Sequence, residues 1–282
     1  MKEDLVVSFS GGRTSGYMSH KLIESGKYNL HFVFMNTGCE HERTLWFVNE
    51  CDKYFGMNLT WIEAVTHPGE RRGSTHKVVS YETASRNGEP YEGVTKKYGI
   101  SNQTWQICTR ELKSNAQRDW RKANGLGDVK TAIGIRVDEF DRMSAVQRNL
   151  VYPLIDTWPT TKQQVLEWWG NQPFDLNLPE HLGNCTWCWK KSYRKLALVW
   201  QDMPEAFDFP KRMESTYQFV GPEDSKGPDG KGRRFFRQHM YADDLKRVEQ
   251  QHDLFDMPTG TCGESCEPFL DEFADEDELC NP

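Results

Sequence analysis

The sequence predicts an α/β fold in which a parallel, twisted sheet is flanked by helices. Three apolar segments of strand length, at residues 5–9, 30–35 and 59–62, are separated by amphipathic segments of helical length. Strand and helix alternating at this spacing are typical of βαβ units, which build parallel sheets. A Gly-rich turn follows the first strand directly and leads into the first predicted helix.

The remaining elements are assigned in chain order. The helix after the Gly-rich turn carries Met18 and Leu22 on its apolar face, and the helix after the second strand carries Trp46 and Phe47. Residues 66–102 are rich in Gly, Ser, Thr and charge, which predicts one long irregular loop, a candidate lid over a substrate. Further along, we predict a helix over 109–123, a strand over 130–135 and a last short strand over 151–154.

Beyond about residue 156 the chain becomes rich in tryptophan. We divide it into an α/β domain over 1–156, a helical, cysteine-containing region over 157–250, and an acidic C-terminal tail over 251–282. The tryptophans of the second region are Trp158, Trp168, Trp169, Trp187, Trp189 and Trp200. Side chains of this size usually belong to a core, so we expect them to pack rather than to stack on nucleic-acid bases.

Length and composition are those of a globular protein. The 282 residues, 37% hydrophobic and 27% charged, are sufficient to bury a core. No apolar run approaches the length of a membrane span, and the N-terminus lacks the apolar stretch of a signal peptide. We therefore expect a cytoplasmic protein without a membrane partner.

The net charge of −7 is concentrated at the C-terminus. Residues 264–282 contain eight acidic residues and no Lys or Arg, which leaves 35 basic and 34 acidic residues in the rest of the chain. Such a tail aids solubility, docks on a partner or mimics nucleic acid. Three basic stretches, 110–122, 190–195 and 233–237, are either solvated helix faces or contacts for a nucleic-acid backbone.

The Gly-rich turn, Ser8-Phe9-Ser10-Gly11-Gly12-Arg13-Thr14-Ser15-Gly16, has the chemistry of a phosphate-binding loop. Adjacent glycines allow positive φ values and close approach to an anion, and the hydroxyl groups add donors. The following helix presents unpaired N–H groups and the positive end of its dipole. The loop is neither the Walker nor the Rossmann Gly-x-Gly-x-x-Gly form. We expect it to bind nucleotide phosphates; the alternative is a plain structural turn.

These residues carry a resemblance to a known family. The run Ser10 to Ser15 is similar to the Ser-Gly-Gly-x-Asp-Ser loop of the N-type ATP pyrophosphatases, in the adenine nucleotide alpha-hydrolase superfamily that contains the PAPS reductases. Over roughly residues 5–200 the similarity continues at Asn36-Thr37-Gly38-Cys39-Glu40, Cys108-Thr109-Arg110-Glu111-Leu112-Lys113, Gly134-Ile135-Arg136-Val137-Asp138-Glu139, Tyr152-Pro153-Leu154 and Gly183-Asn184-Cys185-Thr186-Trp187-Cys188. The chain resembles the PAPS reductase-like proteins of bacteriophages and mobile elements.

The resemblance implies a Rossmann-like fold that binds an adenine nucleotide, either ATP or PAPS or APS. The binding residues it implies are Ser8, Ser10, Gly11, Gly12, Arg13, Thr14, Ser15, Gly16, Asn36, Thr37 and Gly38. Thr14 departs from the pattern, because the pyrophosphatase loop usually carries Asp there. Sulfonucleotide reductases generally keep less of this loop than is present here, which favours ATP with Mg²⁺ as the ligand.

The cysteines point to metal or redox chemistry, because a disulfide framework is not expected in a cytosolic chain. Cys185 and Cys188 have the spacing of a metal-ligand pair, and Cys262 and Cys266 form a second, looser pair. The alternative is that these are ordinary buried thiols. Four thiolates could hold either structural zinc or a [4Fe–4S] cluster, and the residues alone do not choose between the two.

The resemblance favours iron–sulfur over zinc. APS reductases and the ATPase subunit of DNA phosphorothioation systems carry such clusters, and Cys108 with Arg110 and Lys113 resembles a ligand segment of the APS reductases. Those enzymes have two adjacent cysteines in this segment, and here Ile107 replaces one of them. The ligand set implied is Cys108, Cys185 and Cys188, with Cys262 or Cys266 as the fourth.

A charged segment follows the strand predicted at 130–135, where α/β sheets usually carry ligand-binding groups. Arg136 could bind phosphate through both arms of its guanidinium, and Asp138 or Glu139 could hold Mg²⁺. We therefore assign these three residues as candidate catalytic residues. The alternative is a surface cluster of salt bridges.

Three functions remain open. The leading hypothesis is an ATP pyrophosphatase-type enzyme of sulfur metabolism, which adenylates an oxygen of a nucleic acid or metabolite so that a sulfur-donor protein can deliver sulfur. The second is a PAPS or APS reductase that releases sulfite, in which Cys262-Gly263 matches part of a Glu-Cys-Gly-Leu motif. The third is a nucleotide-binding interaction protein with an inactive site.

Overall fold

The strands lie side by side in one sheet in a computed structural model that describes residues 2–143, 149–221, 230–236 and 240–246. They are β1 (Glu3–Ser8), β2 (Tyr28–Asn36), β3 (Thr60–Val65), β4 (Thr75–Val79), β5 (Thr131–Ala132) and β6 (Leu150–Val151). In space their order is β4-β3-β2-β1-β5-β6. Neighbouring strands are parallel except β3 and β4, which are antiparallel. The predicted α/β fold with a mostly parallel sheet is confirmed.

Helices cover the sheet. The α-helices are α1 (Arg13–Ser25), α2 (Glu42–Phe55), α3 (Glu89–Tyr98), α4 (Ala116–Ala123), α5 (Pro153–Asp156), α6 (Lys162–Gly170), α7 (Tyr193–Asp202) and α8 (Asp208–Tyr217). A π-helical segment, Thr109–Asn115, runs directly into α4, and a 3₁₀ segment occupies Val137–Arg142. None of the helices in the described ranges is both long and apolar enough to cross a membrane.

β1 is the strand that fixes the position of the Gly-rich loop. It lies between β2 and β5, and the side chains of Val6 and Val7 are completely buried. A strand buried on both faces needs a continuous apolar run, which 5–9 provides. The register pairs Ser8 with Val33, so the loop after β1 emerges beside the end of β2. Parallel neighbours thus bring two candidate binding segments to one edge of the sheet.

Two predictions about local structure were wrong. Residues 66–102 are not one irregular loop, because they contain β4 and α3, whose Tyr91 and Val94 are buried in the core. β4 pairs with β3 as an edge strand, and its partly exposed pattern hid it among polar residues. The segment 151–154 is a strand only at its first residue, since Pro153 begins the short helix α5.

The second region packs on the same sheet. One hydrophobic cluster contains residues of β1 and β2 together with Trp169, Trp187 and Trp189, each at most 5% exposed. The expectation that these tryptophans belong to the core is confirmed. α6 lies against α1, so the Trp-rich region contacts the helix that follows the Gly-rich loop. The predicted acidic tail, 251–282, lies outside the described residues.

Candidate functional site

The loop after β1 depends on its glycines. β1 ends at the buried Ser8, Gly11 has φ +81°, and Gly12 caps α1 in an extended conformation. A Cβ atom added to Gly11 would lie 2.9 Å from the Cγ2 atom of Thr44, so a side chain is excluded by space as well as by backbone angle. The predicted turn is therefore tight, and it directs the loop backbone into the start of α1.

Ser15 holds the loop closed from inside. Its Oγ accepts hydrogen bonds from the amide of Ser10 at 3.3 Å and from the hydroxyl of Ser10 at 3.0 Å. The Ser15 hydroxyl in turn donates to the carbonyl of Gly12 at 2.9 Å. The first turn of α1 contains no acidic residue that would occupy its N-terminal amides. These features suit an anion, which the amides and the helix dipole would stabilise.

Neighbouring elements hold α1 in place at two further glycines. A Cβ on Gly16 would lie 2.6 Å from the ring of Trp169, and a Cβ on Gly134 would lie 3.2 Å from the Cα of Ser15. The indole N–H of Trp169 also donates to the carbonyl of Arg13 at 2.8 Å. The loop is therefore held on one side by α6 and on the other by the chain after β5.

An open cleft of about 410 Å³ lies beside the loop. Its residues come from the loop, from α2 and from the segment before the cysteine pair: Ser10, Gly11, Gly12, Arg13, Thr44, Leu176, Leu178, Pro179, Glu180, Gly183 and Asn184. Arg13 forms a two-pronged ion pair with Asp175, with N–O distances of 2.7 and 2.8 Å. Arg43 donates to the carbonyls of Asp175 and Leu176 at 2.9 and 2.8 Å. Arg13 of α1 and Arg43 of α2 thus hold the segment at Asp175 and Leu176, which forms the far wall of the cleft.

Arg136 lies beneath the loop rather than on the surface. Its guanidinium is 4% exposed and donates to the hydroxyl of Thr14 at 2.7 Å. It forms ion pairs with Asp138 at 3.1 Å and Glu139 at 3.3 Å, and Arg142 pairs with Glu139 as well. The three candidate catalytic residues are brought together next to the loop. Their carboxylates are already engaged by arginines, and Asp138 also accepts from the Lys162 amide at 3.1 Å.

The pKa of Asp138 reflects this pairing. Burial raises the pKa of the carboxyl, but the hydrogen bonds and charge of Arg136 outweigh burial, so the pKa lies below its ordinary value. Ionised carboxylates neutralised by arginine are poor additional ligands for Mg²⁺. The assignment of Mg²⁺ to Asp138 or Glu139 stays a prediction. In this structure both carboxylates pair with Arg136, whose guanidinium donates to Thr14.

The segment after β2 is held by a buried carboxylate that the sequence reading missed. Glu63 of β3 is fully buried and accepts from the Asn36 amide at 2.7 Å and from the Ser85 hydroxyl at 2.9 Å. Asn36 in turn accepts from the amide of Gly38 at 3.3 Å, and Gly38 has φ +79°. A lone Glu in an apolar strand was the available signal. It shapes the segment Asn36–Gly38 predicted to contact the nucleotide.

Three of the predicted metal ligands converge on a second cavity. Cys108, Cys185 and Cys188 all line it, together with Thr37, Tyr91, Thr109, Leu112, Lys113, Trp187, Trp189 and Lys190. The Thr37 hydroxyl lies 3.3 Å from the Cys185 sulfur. Across the described ranges, no three Cys, His, Asp or Glu side chains are placed to share one metal ion. Cys262 and Cys266 lie outside the described residues.

Lys191 shapes the turn between Cys185 and Cys188. It is 3% exposed, and its ammonium donates to the carbonyls of His181 at 2.6 Å, Cys185 at 3.1 Å and Thr186 at 2.5 Å. Burial, then the neighbouring Glu40 and Cys188, raise the pKa of the Cys185 thiol well above its ordinary value. A protonated thiol is a weak nucleophile, so Cys185 alone is not suited to nucleophilic catalysis.

The two cavities meet at one short segment. Gly183 and Asn184 line the cleft beside the Gly-rich loop, and the next residue, Cys185, lines the thiol cavity. Asn184 has φ +57°, a left-handed conformation that Asn tolerates better than most residues. The chain also pairs here with the end of β2, because Glu40 and Cys185 form a backbone bridge. The loop, the segment after β2 and the thiols therefore form one continuous region.

The comparison with known proteins yields a relative of nearly full length. The uncharacterized nin region protein ORF290 of Escherichia phage lambda is 34% identical over 290 aligned positions, which span 94% of this chain and 94% of the phage protein. The chain belongs to the family of phage lambda ORF290. No protein-family model matches the chain.

A more distant relative of the ORF290 family is archaeal. The uncharacterized protein MJ0066 of Methanocaldococcus jannaschii is 23% identical over 143 residues, which is 50% of this chain and 25% of the archaeal protein. Neither relative's name states an activity, so the evidence for function lies in the site of this ORF290 family member itself.

Proposed function

We propose that this chain is a PAPS reductase-like member of the N-type ATP pyrophosphatase superfamily, with the corresponding Rossmann-like fold. It binds ATP at the loop after β1 and adenylates a substrate in support of sulfur transfer. The observation that carries the proposal is the adjacency of the two cavities, which share the run from Gly183 to Cys185. An anion-binding loop and a group of thiols in contact are what such chemistry requires.

The loop would act on the phosphates. An oxygen of the substrate attacks the α-phosphorus of ATP, the bond between α- and β-phosphates breaks, and pyrophosphate leaves with the electron pair. Amides of Gly12 and Arg13 and the dipole of α1 would stabilise the charge on the leaving pyrophosphate. Mg²⁺ would arrive with the nucleotide phosphates, its usual mode of binding.

We assign the thiols to a [4Fe–4S] cluster rather than to a single zinc ion. In a zinc site the sulfurs lie about 3.8 Å apart, as Zn–S distances of about 2.3 Å in a tetrahedron require, and the described side chains offer no three-ligand site of that kind. A [4Fe–4S] centre is larger, and Cys108, Cys185 and Cys188 would hold it, with Cys262 or Cys266 as fourth ligand. When bound, it would supply a redox-active, anionic centre beside the adenylated substrate.

The charge around the thiols supports the same assignment. Lys113 and Lys190 line the cavity, and Lys191 lies directly behind the turn. Lys113 lowers the pKa of the Cys185 thiol against the larger opposing effect of burial. Cations that surround thiolates favour an anionic centre. They would also attract an anionic acceptor.

The favoured acceptor class is nucleic acid. Two of the basic stretches predicted to contact a nucleic-acid backbone, 110–122 and 190–195, each contribute a lysine to the thiol cavity. Sulfur itself would come from a donor protein as a persulfide. Its terminal sulfur would attack the atom that carries the adenylated oxygen, and AMP would leave with that oxygen. A second thiol of the donor would then cleave the S–S bond, which releases the thiolated product and leaves a disulfide on the donor. Single-stranded DNA and RNA should bind with an affinity that falls steeply as salt increases.

Pyrophosphate release tests the adenylation. Anaerobically purified protein, ATP and Mg²⁺ are incubated with single-stranded DNA, RNA or a metabolite pool, and pyrophosphate is measured. The expected result is release that depends on acceptor and is lost in Ser15→Ala, whereas Ser19→Ala retains it. Sulfite release from PAPS or APS with a thiol reductant would instead support the reductase alternative. Tight nucleotide binding without turnover would support an interaction protein.

Metal analysis tests the thiol centre. Iron, acid-labile sulfide and the visible absorption band are measured on the anaerobic protein and on Cys108→Ser and Cys185→Ser. Both variants should lose iron, whereas Cys51→Ser should keep it, because Cys51 is buried in α2 away from the cavity. Zinc in place of iron, or a colourless wild type without either metal, would refute the cluster.

A further inference from the structure

The Arg13 side chain at the Gly-rich loop could bind a phosphate, but it already forms an ion pair with Asp175. Arg13 is the first residue of α1 and lines the cleft. Its guanidinium meets the carboxylate of Asp175 through two parallel hydrogen bonds of 2.7 and 2.8 Å. Carboxylate and phosphate present the same two-pronged geometry to arginine. Asp175 thus supplies a carboxylate from the protein itself at a loop whose proposed ligand is a phosphate.

The ion pair is not required to attach the wall of the cleft. The backbone at Asp175 and Leu176 is held separately by Arg43, which donates to both carbonyls. Arg43 is itself fixed on the face of the Trp46 ring, with its guanidinium carbon 3.6 Å from the ring centre. Release of the Asp175 side chain from Arg13 would leave these contacts in place. The Asp175 carboxylate also keeps its own hydrogen bond from the Leu176 amide, at 2.7 Å, so the Arg13 side chain is the member of the pair that can move.

Asp175 is a charged competitor at neutral pH. Burial raises the pKa of its carboxyl, but hydrogen bonds from Arg13 and from the amides of Leu176 and Asn177 outweigh burial, so the pKa is lowered. The other acid at the cleft, Glu180, is neutralised by Lys162 and Lys195, neither of which belongs to the loop. Of the acids described around the cleft, Asp175 is the one engaged with the loop.

We propose that Arg13 exchanges partners: Asp175 holds it in the nucleotide-free protein, and a polyphosphate displaces Asp175 on binding. The inference rests on the proposed function, since the polyphosphate is that of ATP or the pyrophosphate it releases. The exchange lowers the affinity of the loop for pyrophosphate and lets Asp175 reclaim Arg13 as pyrophosphate leaves. Asp175 is a positioning residue that sets how tightly this product is held.

Calorimetric titration with ATP, inorganic pyrophosphate and adenosine tests the exchange. Asp175→Asn should tighten ATP and pyrophosphate binding roughly tenfold, the effect of removing one partly exposed two-pronged ion pair. Adenosine, which has no phosphate, should bind equally to both proteins. Glu42→Gln, which removes an exposed carboxylate paired with Arg86 away from the cleft, controls for net charge and should change nothing.

Arg13→Gln completes a double-mutant cycle. In that background Asp175→Asn should no longer affect pyrophosphate binding, because no guanidinium remains to be exchanged. Weaker or unchanged pyrophosphate binding in Asp175→Asn would overturn the exchange and assign the pair a structural role. An effect of the same size in the Arg13→Gln background would overturn it too.

Two outcomes separate the inference from the proposed function. Binding of pyrophosphate but not of ATP or adenosine, with the Asp175→Asn effect present, would refute the adenine nucleotide site and leave the exchange standing. ATP binding with no effect of Asp175→Asn would support the adenine nucleotide site and refute the exchange. If Asp175→Asn does not fold, a crystal structure of the wild type with pyrophosphate decides: Arg13 should contact phosphate, and retention of the Asp175 pair would refute the exchange.

Discussion

The Gly-rich loop and the Cys185–Cys188 turn are both tight backbone turns at one site, but different forces hold them. The loop is held mainly by packing: Gly16 lies against the Trp169 ring, and Gly11 has no room for a side chain. The cysteine turn is held by a charge, since the buried ammonium of Lys191 binds three backbone carbonyls. A loop fixed by packing is rigid when empty, whereas a turn fixed by one ammonium depends on a single side chain.

The difference suits the proposed roles. Phosphate binding needs amides that keep their positions before the ligand arrives, because reorganisation would cost affinity. A thiolate centre instead gains most of its order from the metal it binds, so the protein has only to bring the thiols near each other. Each of the following measurements would break or sharpen this contrast.

Removal of the packing on the loop should have the largest effect. Trp169→Ala empties a site that is 1% exposed and removes the donor to the Arg13 carbonyl. The expected loss is about 3–5 kcal/mol of unfolding free energy, measured by urea denaturation. Leu166→Ala on the same helix, at a position 42% exposed, should change it by less than about 0.5 kcal/mol. A loss below about 1 kcal/mol in Trp169→Ala would show that packing does not hold the loop.

Removal of the Lys191 ammonium should have the second largest effect on stability. Lys191→Met leaves three carbonyls, one buried and two partly buried, without their donor, with an expected loss of about 3 kcal/mol of unfolding free energy. The rate at which a thiol reagent labels the metal-free protein at Cys185 and Cys188 should rise, because the turn opens. Lys21→Met, at an exposed ion pair with Glu24, is the control and should cost at most about 0.5 kcal/mol. Unchanged labelling would assign the turn another support.

A smaller effect is expected within the loop itself. Ser15→Ala removes the hydroxyl that joins Ser10 to Gly12 and should cost about 1 kcal/mol of unfolding free energy. Ser19 lies one turn further along α1 with a buried hydroxyl that has no partner among the described residues, so Ser19→Ala should be neutral or slightly stabilising. Equal losses in the two variants would contradict the closure of the loop by Ser15.

The smallest expected effect is on how the unfolding free energy depends on acidic pH. Because the pKa of Asp175 is lowered on folding, its ion pair stabilises the protein above the unfolded pKa of about 3.9 and is lost as pH falls further. Between pH 5 and 3, wild type should lose more unfolding free energy than Asp175→Asn, by at most about 1 kcal/mol after solvent screening. Parallel pH profiles would show that the pair contributes nothing to stability.

Sequence reasoning found the features that depend on local pattern. The apolar run 5–9 and the Gly-Gly step at Gly11 predict a strand and a turn because both are consequences of neighbouring residues. The spacing of Cys185 and Cys188 also predicts a shared site, and Cys108, which the family resemblance implies as a third ligand, lines the same cavity. β4 was missed because an edge strand needs only a weak pattern.

The supporting residues could not be predicted because their partners are distant in sequence. Asp175 lies 162 positions from Arg13, and Arg136 lies 122 positions from Thr14. Each is an ordinary charged residue until the fold brings the pair together. The sequence likewise does not reveal that arginines engage the carboxylates of Asp138 and Glu139, the residues to which Mg²⁺ was assigned.

The π-helical segment Thr109–Asn115 determines the direction in which Cys108 points. Its wider turn accommodates an additional residue between Cys108 and α4, whose Trp120 is anchored in the core. If the same residues formed a regular α-helix, the additional residue would rotate everything before the segment by about 100° relative to α4. Cys108 would then point away from Cys185 and Cys188. The register of this helix decides whether the three thiols meet.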